Sequence, residues 1–174
     1  MRIWTRLRSG VCVDGRELAM KMAIALVAAL AATVSAATLN GDRGAVIPAR
    51  EIQAQLAQLA PQTTASGSSG STLASYGNLA LKLSVRTTSG GAEIHAHYDD
   101  LMIVEQGNAT LITGGTVIDA KTDSDGETKG TGIQNGKPQA IAVGDVVIVP
   151  AGVPHQLLIP SRTIYGALVT KVKE

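Results

Sequence analysis

From Leu79 to its C-terminus the chain is a succession of short apolar-alternating segments, each cut off by turn chemistry before a helix of ordinary length can form. Leu79, Leu81, Leu83 and Val85 alternate with Ala80, Lys82, Ser84 and Arg86, which gives one apolar and one polar face. Further extended segments are predicted at 93–97, 101–105, 109–113, 116–119, 140–143, 146–149, 155–159 and 164–172. Between them stand Gly90-Gly91, Gly107-Asn108, Gly114-Gly115, Asn135-Gly136, Gly144-Asp145 and the Pro150 to Pro154 run. Many short strands with this punctuation define an all-β sandwich or barrel. The polar, Gly-rich stretch 121–138 is expected to be a long excursion at one mouth of it.

The N-terminal third follows different rules. Residues 22–32 read MAIALVAALAA, preceded by Lys21 and followed by Thr33-Val34-Ser35-Ala36-Ala37. A positive residue, a short apolar run and small residues at a cleavage site make a secretory signal peptide, with cleavage expected after Ala36 or Ala37. The run is shorter than the roughly 20 apolar residues of a permanent span, so no stable membrane span is expected after processing. Asp14 and Glu17 precede the apolar run, which suits a start at Met20 or Met22 better than one at Met1. Arg6 and Arg8 are not adjacent, as a twin-arginine signal requires, which leaves the general secretory route. The expected location is therefore periplasmic or secreted, and residues 1–36 form a leader.

Beyond it, Pro48 and Glu51 open a helical pattern in which Ile52, Leu56 and Leu59 form one apolar stripe, ended by Pro61. The stripe is expected to pack on the outside of the barrel. The stretch 62–72 (QTTASGSSGST) reads as a Gly/Ser-rich linker. The organisation predicted is thus a short helix and linker over 37–72 and a β-barrel over 73–174.

Removing the leader takes away Cys12 and Trp4, the chain's single cysteine and single tryptophan, so neither disulfides nor thiol catalysis is available. Of 15 Lys and Arg and 14 Asp and Glu, the leader holds Arg2, Arg6, Arg8, Arg16, Lys21, Asp14 and Glu17. The remainder is nearly balanced and without runs, which gives no reason to expect nucleic acid or an anionic membrane as partner. All three histidines lie beyond the leader.

Two of them, His95 and His97, stand two apart in Glu93-Ile94-His95-Ala96-His97. On a strand such residues point the same way, and two imidazoles side by side are what a divalent metal needs as first ligands. Asp100 follows three residues later and brings a hard oxygen towards the same point. His155 comes after Pro150-Ala151-Gly152-Val153-Pro154, where two prolines fix the approach of its strand. A single histidine on an apolar strand is more often a hydrogen-bonded core residue than a ligand. Three with no others beyond the leader favour a shared site.

The segment GGAEIHAHYDDLMIVEQG resembles the first motif of the cupin superfamily, an HxH pair followed by a carboxylate and, seven residues on, a glycine. Gly144 to His155 matches the second, G-x5-P-x-G-x2-H, at every fixed position. The resemblance covers roughly 79–174 and is to small single-domain members. It implies a jelly-roll barrel with an internal metal site, for which His95, His97 and His155 are the imidazole ligands and Asp100 the carboxylate. Three departures accompany it: the carboxylate is Asp where Glu is usual, it stands one residue nearer His97, and Ile159 occupies a position where Asn is frequent. Glu105 is in a register that points it away from Asp100, Met102 and Val104, whereas Glu93 shares the histidine face and is the second choice for ligand or base.

The ion implied is one divalent metal, Mn, Fe, Ni or Zn, and the partner a small-molecule ligand or substrate, with a homodimer as the assembly considered. Three functions suit such a site: a metal-dependent oxidoreductase of dioxygenase-like type, a metal-dependent isomerase or lyase, and a non-catalytic module for small ligands or metal. Tyr76, Tyr98 and Tyr165 are the only aromatics beyond the leader apart from the histidines, too few to stack a large planar substrate. Met102 and Val104 are expected to line a small apolar pocket. The alternation puts Lys82 and Arg86 on the outward face of their strand, so a phosphorylated substrate is not expected.

Overall fold

The computed structural model describes residues 44–63 and 65–174, together with the backbone of three short strands nearer the N-terminus. Two of these, β1 (Trp4–Arg6) and β2 (Cys12–Asp14), pair antiparallel with each other in a unit spanning Met1–Ser35. The apolar run 22–32 and the cleavage site expected after Ala36 lie outside the described residues. No helix among the described residues is long and apolar enough to cross a membrane.

The second unit, Ala36–Glu174, begins with β3 (Ala37–Thr38), which pairs parallel with a later strand. Helix α1 (Ala49–Leu59) follows, with Pro48 at its N-cap and Glu51 in its first turn, and a 3-10 turn over Ala60–Gln62 carries Pro61. Then come β4 (Ser68–Tyr76), β5 (Leu79–Arg86), β6 (Ala92–Ile94), β7 (Tyr98–Gln106), β8 (Asn108–Thr113), β9 (Thr116–Ile118), β10 (Lys121–Thr122), β11 (Thr128–Gly130) and β12 (Gly132–Gln134). The barrel is completed by β13 (Lys137–Ala142), β14 (Val146–Val149), β15 (His155–Leu158) and β16 (Tyr165–Lys173). One six-stranded sheet runs β14-β7-β16-β5-β4-β3 and the other β10-β11-β6-β15-β8-β13, while β12 and β9 form a small separate ribbon.

Two apolar clusters hold these layers. Between the sheets, Met102 and Val104 of β7 pack with Leu111 of β8, Val149 of β14 and Ala167 of β16. Gly107, at φ 71, closes the β7–β8 turn where a Cβ would meet the Ile164 carbonyl oxygen at 2.3 Å, so only glycine fits. Outside the barrel, Leu56 and Leu59 of α1 cover Leu73 of β4 and Leu83 and Val85 of β5. Leu56 is 1% exposed, and burying one leucine to this extent contributes about 1.5–3 kcal/mol. The helix stripe therefore packs on the outer face as its spacing predicts.

Two expectations are corrected by this arrangement. The stretch read as linker is partly sheet: Ser68 to Thr72 pair with Arg86 to Lys82, because backbone ladder bonds, rather than side chains, hold small residues in β4. More consequential is the facing of β5. Leu81, Leu83 and Val85 pack outward under α1, so Lys82, Ser84 and Arg86 point into the barrel and line its cavity. The alternation was legible, but an apolar face covered by a helix looks the same in sequence as one facing the barrel interior.

Candidate metal centre

β6 and β15 run side by side, and the ladder places His155 directly opposite Glu93. His95 follows the last residue of β6, and its ring lies 5.1 Å from that of His155, centroid to centroid. One ligand atom from each of Glu93, His95 and His155 falls within 4.8 Å of the others. Two neutral imidazoles and one carboxylate in this compass fit a divalent ion of borderline or hard character and leave coordination positions open.

The rings are oriented from behind. His155 Nδ1 lies 3.1 Å from the Val153 carbonyl oxygen, an acceptor only, so Nδ1 carries the proton and Nε2 keeps its lone pair. His95 Nδ1 donates to a carboxylate oxygen of Glu127, in the 121–138 excursion, which leaves Nε2 facing Glu93 and Asp100. Glu127 was missed by sequence reasoning. The turn that carries it is closed by Asp123 Oδ1, which accepts from the backbone N–H groups of Asp125 and Glu127 at 3.0 Å. An Asp-x-Asp-Gly-Glu turn was visible in the sequence, but nothing there says which strand it folds against. Gly126, at φ 81, lets the turn seat on Ala96, whose Cβ a side chain would meet at 2.7 Å.

Asp100 is buried on the inward face of β7 with Met102 and Val104, as its register predicts. Glu105, on the opposite face, accepts from Gln53 of α1 at 2.8 Å. Asp100 does not join the three-donor cluster. Its Oδ1 accepts from Lys171 Nζ at 2.7 Å and its Oδ2 lies 3.4 Å from His95 Nε2. Asp100 thus sits beside the donors with a cation of its own.

His97 is placed differently from the expectation. Beyond Ile94 both strands that flank β6 run out, since β11 begins opposite it at Thr128 and β15 begins opposite Glu93 at His155. Pairing ends, the alternation breaks, and His97 lies exposed on the bend before β7. The structure brings together His95, His155 and Glu93, the second-choice carboxylate, with Asp100 adjacent and His97 outside.

The electrostatics follow from these contacts. The Asp100 carboxylate beside Nε2, helped by Glu127, holds the His95 pKa above its ordinary value against the opposing effect of burial. Burial pushes the Asp100 carboxyl up, but the His95 and Lys171 contacts outweigh it and hold it below the usual range. Burial lowers the pKa of His155 and so favours the neutral ring that a metal requires. The site opens into a cavity of about 250 Å³.

No family model matches the sequence, and no curated protein matches it. Solved structures do. An uncharacterized conserved protein with a double-stranded beta-helix domain from Klebsiella pneumoniae subsp. pneumoniae shares 13% identity over 75% of this chain and 91% of its own, with a TM-score of 0.51. The cupin domain of Schizosaccharomyces pombe Cnp3 is 11% identical over 62% of this chain and 61% of its own, with a TM-score of 0.47. Peruvianin-I, a cysteine peptidase from Thevetia peruviana latex, is 12% identical over 63% and 64%, with a TM-score of 0.44. The chain spans less than two thirds of the length of these last two. The likeness shows the fold alone, a double-stranded β-helix of cupin type.

Proposed function

We propose that this barrel binds one divalent metal ion through Glu93, His95 and His155 and acts as a metal-dependent oxidoreductase on a small organic substrate. The observation that carries the reading is the donor set itself: two histidines and one carboxylate converging within 4.8 Å at the edge of a small cavity. Two histidines and a carboxylate with open positions are characteristic of non-haem iron sites that use dioxygen. When bound, such an ion supplies open positions for oxygen and substrate. The chain's own groups do the rest. Glu127 fixes the His95 tautomer, Val153 fixes that of His155, and Met102, Leu157 and Val169 keep one side of the cavity apolar.

A second reading, a metal-dependent isomerase or lyase, is favoured by the Asp100–Lys171 pair beside His95. These groups line the same cavity and are equipped to take and return a proton without an oxidant. Purification from the native compartment, metal analysis and oxygen-uptake measurements with and without substrate test the choice. Substrate-linked oxygen consumption is expected, whereas turnover in anaerobic buffer supports the isomerase or lyase. Absence of stoichiometric metal overturns both.

Export is also proposed, on the apolar run and small-residue site before Ala37. Mass spectrometry of envelope protein is expected to give a chain starting at Ala37 or Thr38, and an intact N-terminus at Met1 in cytoplasmic protein overturns it.

A further inference from the structure

The inward turn of β5 gives the cavity a chemistry that the metal donors do not explain. Lys82, Ser84 and Arg86 enter it from β5, and Tyr165 enters from β16 directly opposite Arg86 in the ladder. Among the described residues neither Lys82 nor Arg86 makes an ion pair, while the third cation of the cavity, Lys171, is taken by Asp100. The Arg86 guanidinium lies over Gly90, where a Cβ would come within 2.6 Å of its nitrogen, so an absent side chain makes its room. Tyr165 is 0% exposed, lines the cavity, and its hydroxyl has no hydrogen-bond partner among the described residues. An unpaired buried hydroxyl destabilises a fold, so a partner that arrives from outside accounts for it better than packing does.

We propose that Arg86, Lys82 and the Tyr165 hydroxyl form a subsite for the oxyanion head group of a small organic acid, whose apolar body lies against Met102, Leu157 and Val169. Arg86 offers a planar fork of donors suited to a carboxylate or phosphate, and Lys82 adds a point charge. The Tyr165 hydroxyl stays protonated at neutral pH, its pKa pushed up to about 12 by burial, and so remains a donor. Of the two nearby acids, Asp100 is answered by Lys171 at 2.7 Å and Glu93 faces His95 at 3.8 Å. This deepens the reading above by naming the substrate class, and it rests on that reading for the cavity being the working pocket, though not for the anion's own contacts.

Calorimetric titration of malonate, inorganic phosphate and neutral malonamide into metal-free and Zn²⁺-loaded protein separates the two. Malonate or phosphate is expected to bind metal-free protein, malonamide not, and the stronger anion identifies the head group. Arg86→Gln is expected to weaken anion binding roughly 10- to 100-fold, with Arg86→Lys recovering part of it. Tyr165→Phe is expected to weaken anion binding several-fold while raising the melting temperature of the ligand-free protein, since it removes an unpaired hydroxyl; a merely structural tyrosine would lower both stability and affinity together. Anion binding that persists unchanged in Arg86→Gln and Lys82→Gln, or that occurs only with Zn²⁺ bound and ignores these variants, overturns the subsite. Failure of Zn²⁺ to bind, with Arg86-dependent malonate binding intact, overturns the metal reading and leaves the subsite standing.

Discussion

Lys171 Nζ lies 2.7 Å from Asp100 Oδ1, and this contact across the β7–β16 ladder removes Asp100 from the roles open to a free carboxylate. A carboxylate with its charge already answered by an ammonium offers less to a metal than Glu93, which has no such partner among the described residues.

Glu93→Ala is therefore expected to lower metal affinity more than Asp100→Ala. The former removes a donor of the cluster. The latter alters a neighbour and should cost about 10–100-fold, as a change behind the ligands does. His97→Ala should bind metal like the parent. Titration of Zn²⁺ or Mn²⁺ into the three variants decides, and a collapse of affinity in His97→Ala would sink the three-donor assignment.

Glu127→Gln keeps the shape of the side chain but removes the negative charge on His95 Nδ1. A loss of about 10–100-fold in metal affinity is expected, with the fold retained in circular dichroism. An unchanged affinity would mean that Glu127 does not orient the ring.

The pH dependence follows from the directions of the shifts. His95 is raised above its ordinary value of about 6.5, so a proton competes with metal there while the solution is still above that pH. Metal occupancy should begin to fall on the alkaline side of 6.5. Asp100→Asn removes the largest cause of the shift and should move the curve to lower pH, which NMR titration of the imidazole can follow in metal-free protein.

Metal-free stability carries the opposite sign at His95 and the same sign at Asp100 and His155. The raised His95 pKa contributes stability that is fully present below about pH 6.5 and is lost as pH rises through the folded value. The lowered Asp100 pKa contributes stability above about pH 3.9 that is lost as pH falls through its folded value. His155, lowered by burial, loses stability on acidification below about 6.5. In denaturant melts, replacing His155 with Gln should reduce the acid-side loss between pH 6.5 and 5, while replacing His95 should not.

Leu56→Ala opens a cavity between α1 and the outer face of β5, where Leu56 meets Leu83 and Val85. A loss of about 2–5 kcal/mol is expected in urea unfolding. A change near zero would mean that α1 is not docked on the sheet.

Strands and turns were legible because alternation and Gly/Pro punctuation are local properties, and β14, predicted at 146–149, spans Val146–Val149. The inward face of Asp100, Met102 and Val104 was equally legible, since one register decides all three. What escaped depended on long-range pairing. His97 left the site because two strands distant in sequence stop beside Ile94. Glu127 entered it from 32 residues beyond His95. Lys82 and Arg86 turned inward because the helix stripe, read correctly by itself, claimed the leucine face of β5.

The Gly152 N–H donates to the His95 carbonyl oxygen at 2.8 Å, and the Ala151 N–H donates to Asp99 Oδ1 at the same distance. The turn that delivers His155 is thus moored to the backbone of the other histidine segment by the chain itself. An ion would find its two imidazoles already spaced, in contrast to small metal-dependent domains that assemble only around their metal. Exchange of one ion for another then becomes a local event at the mouth of a standing barrel, with no refolding attached to it.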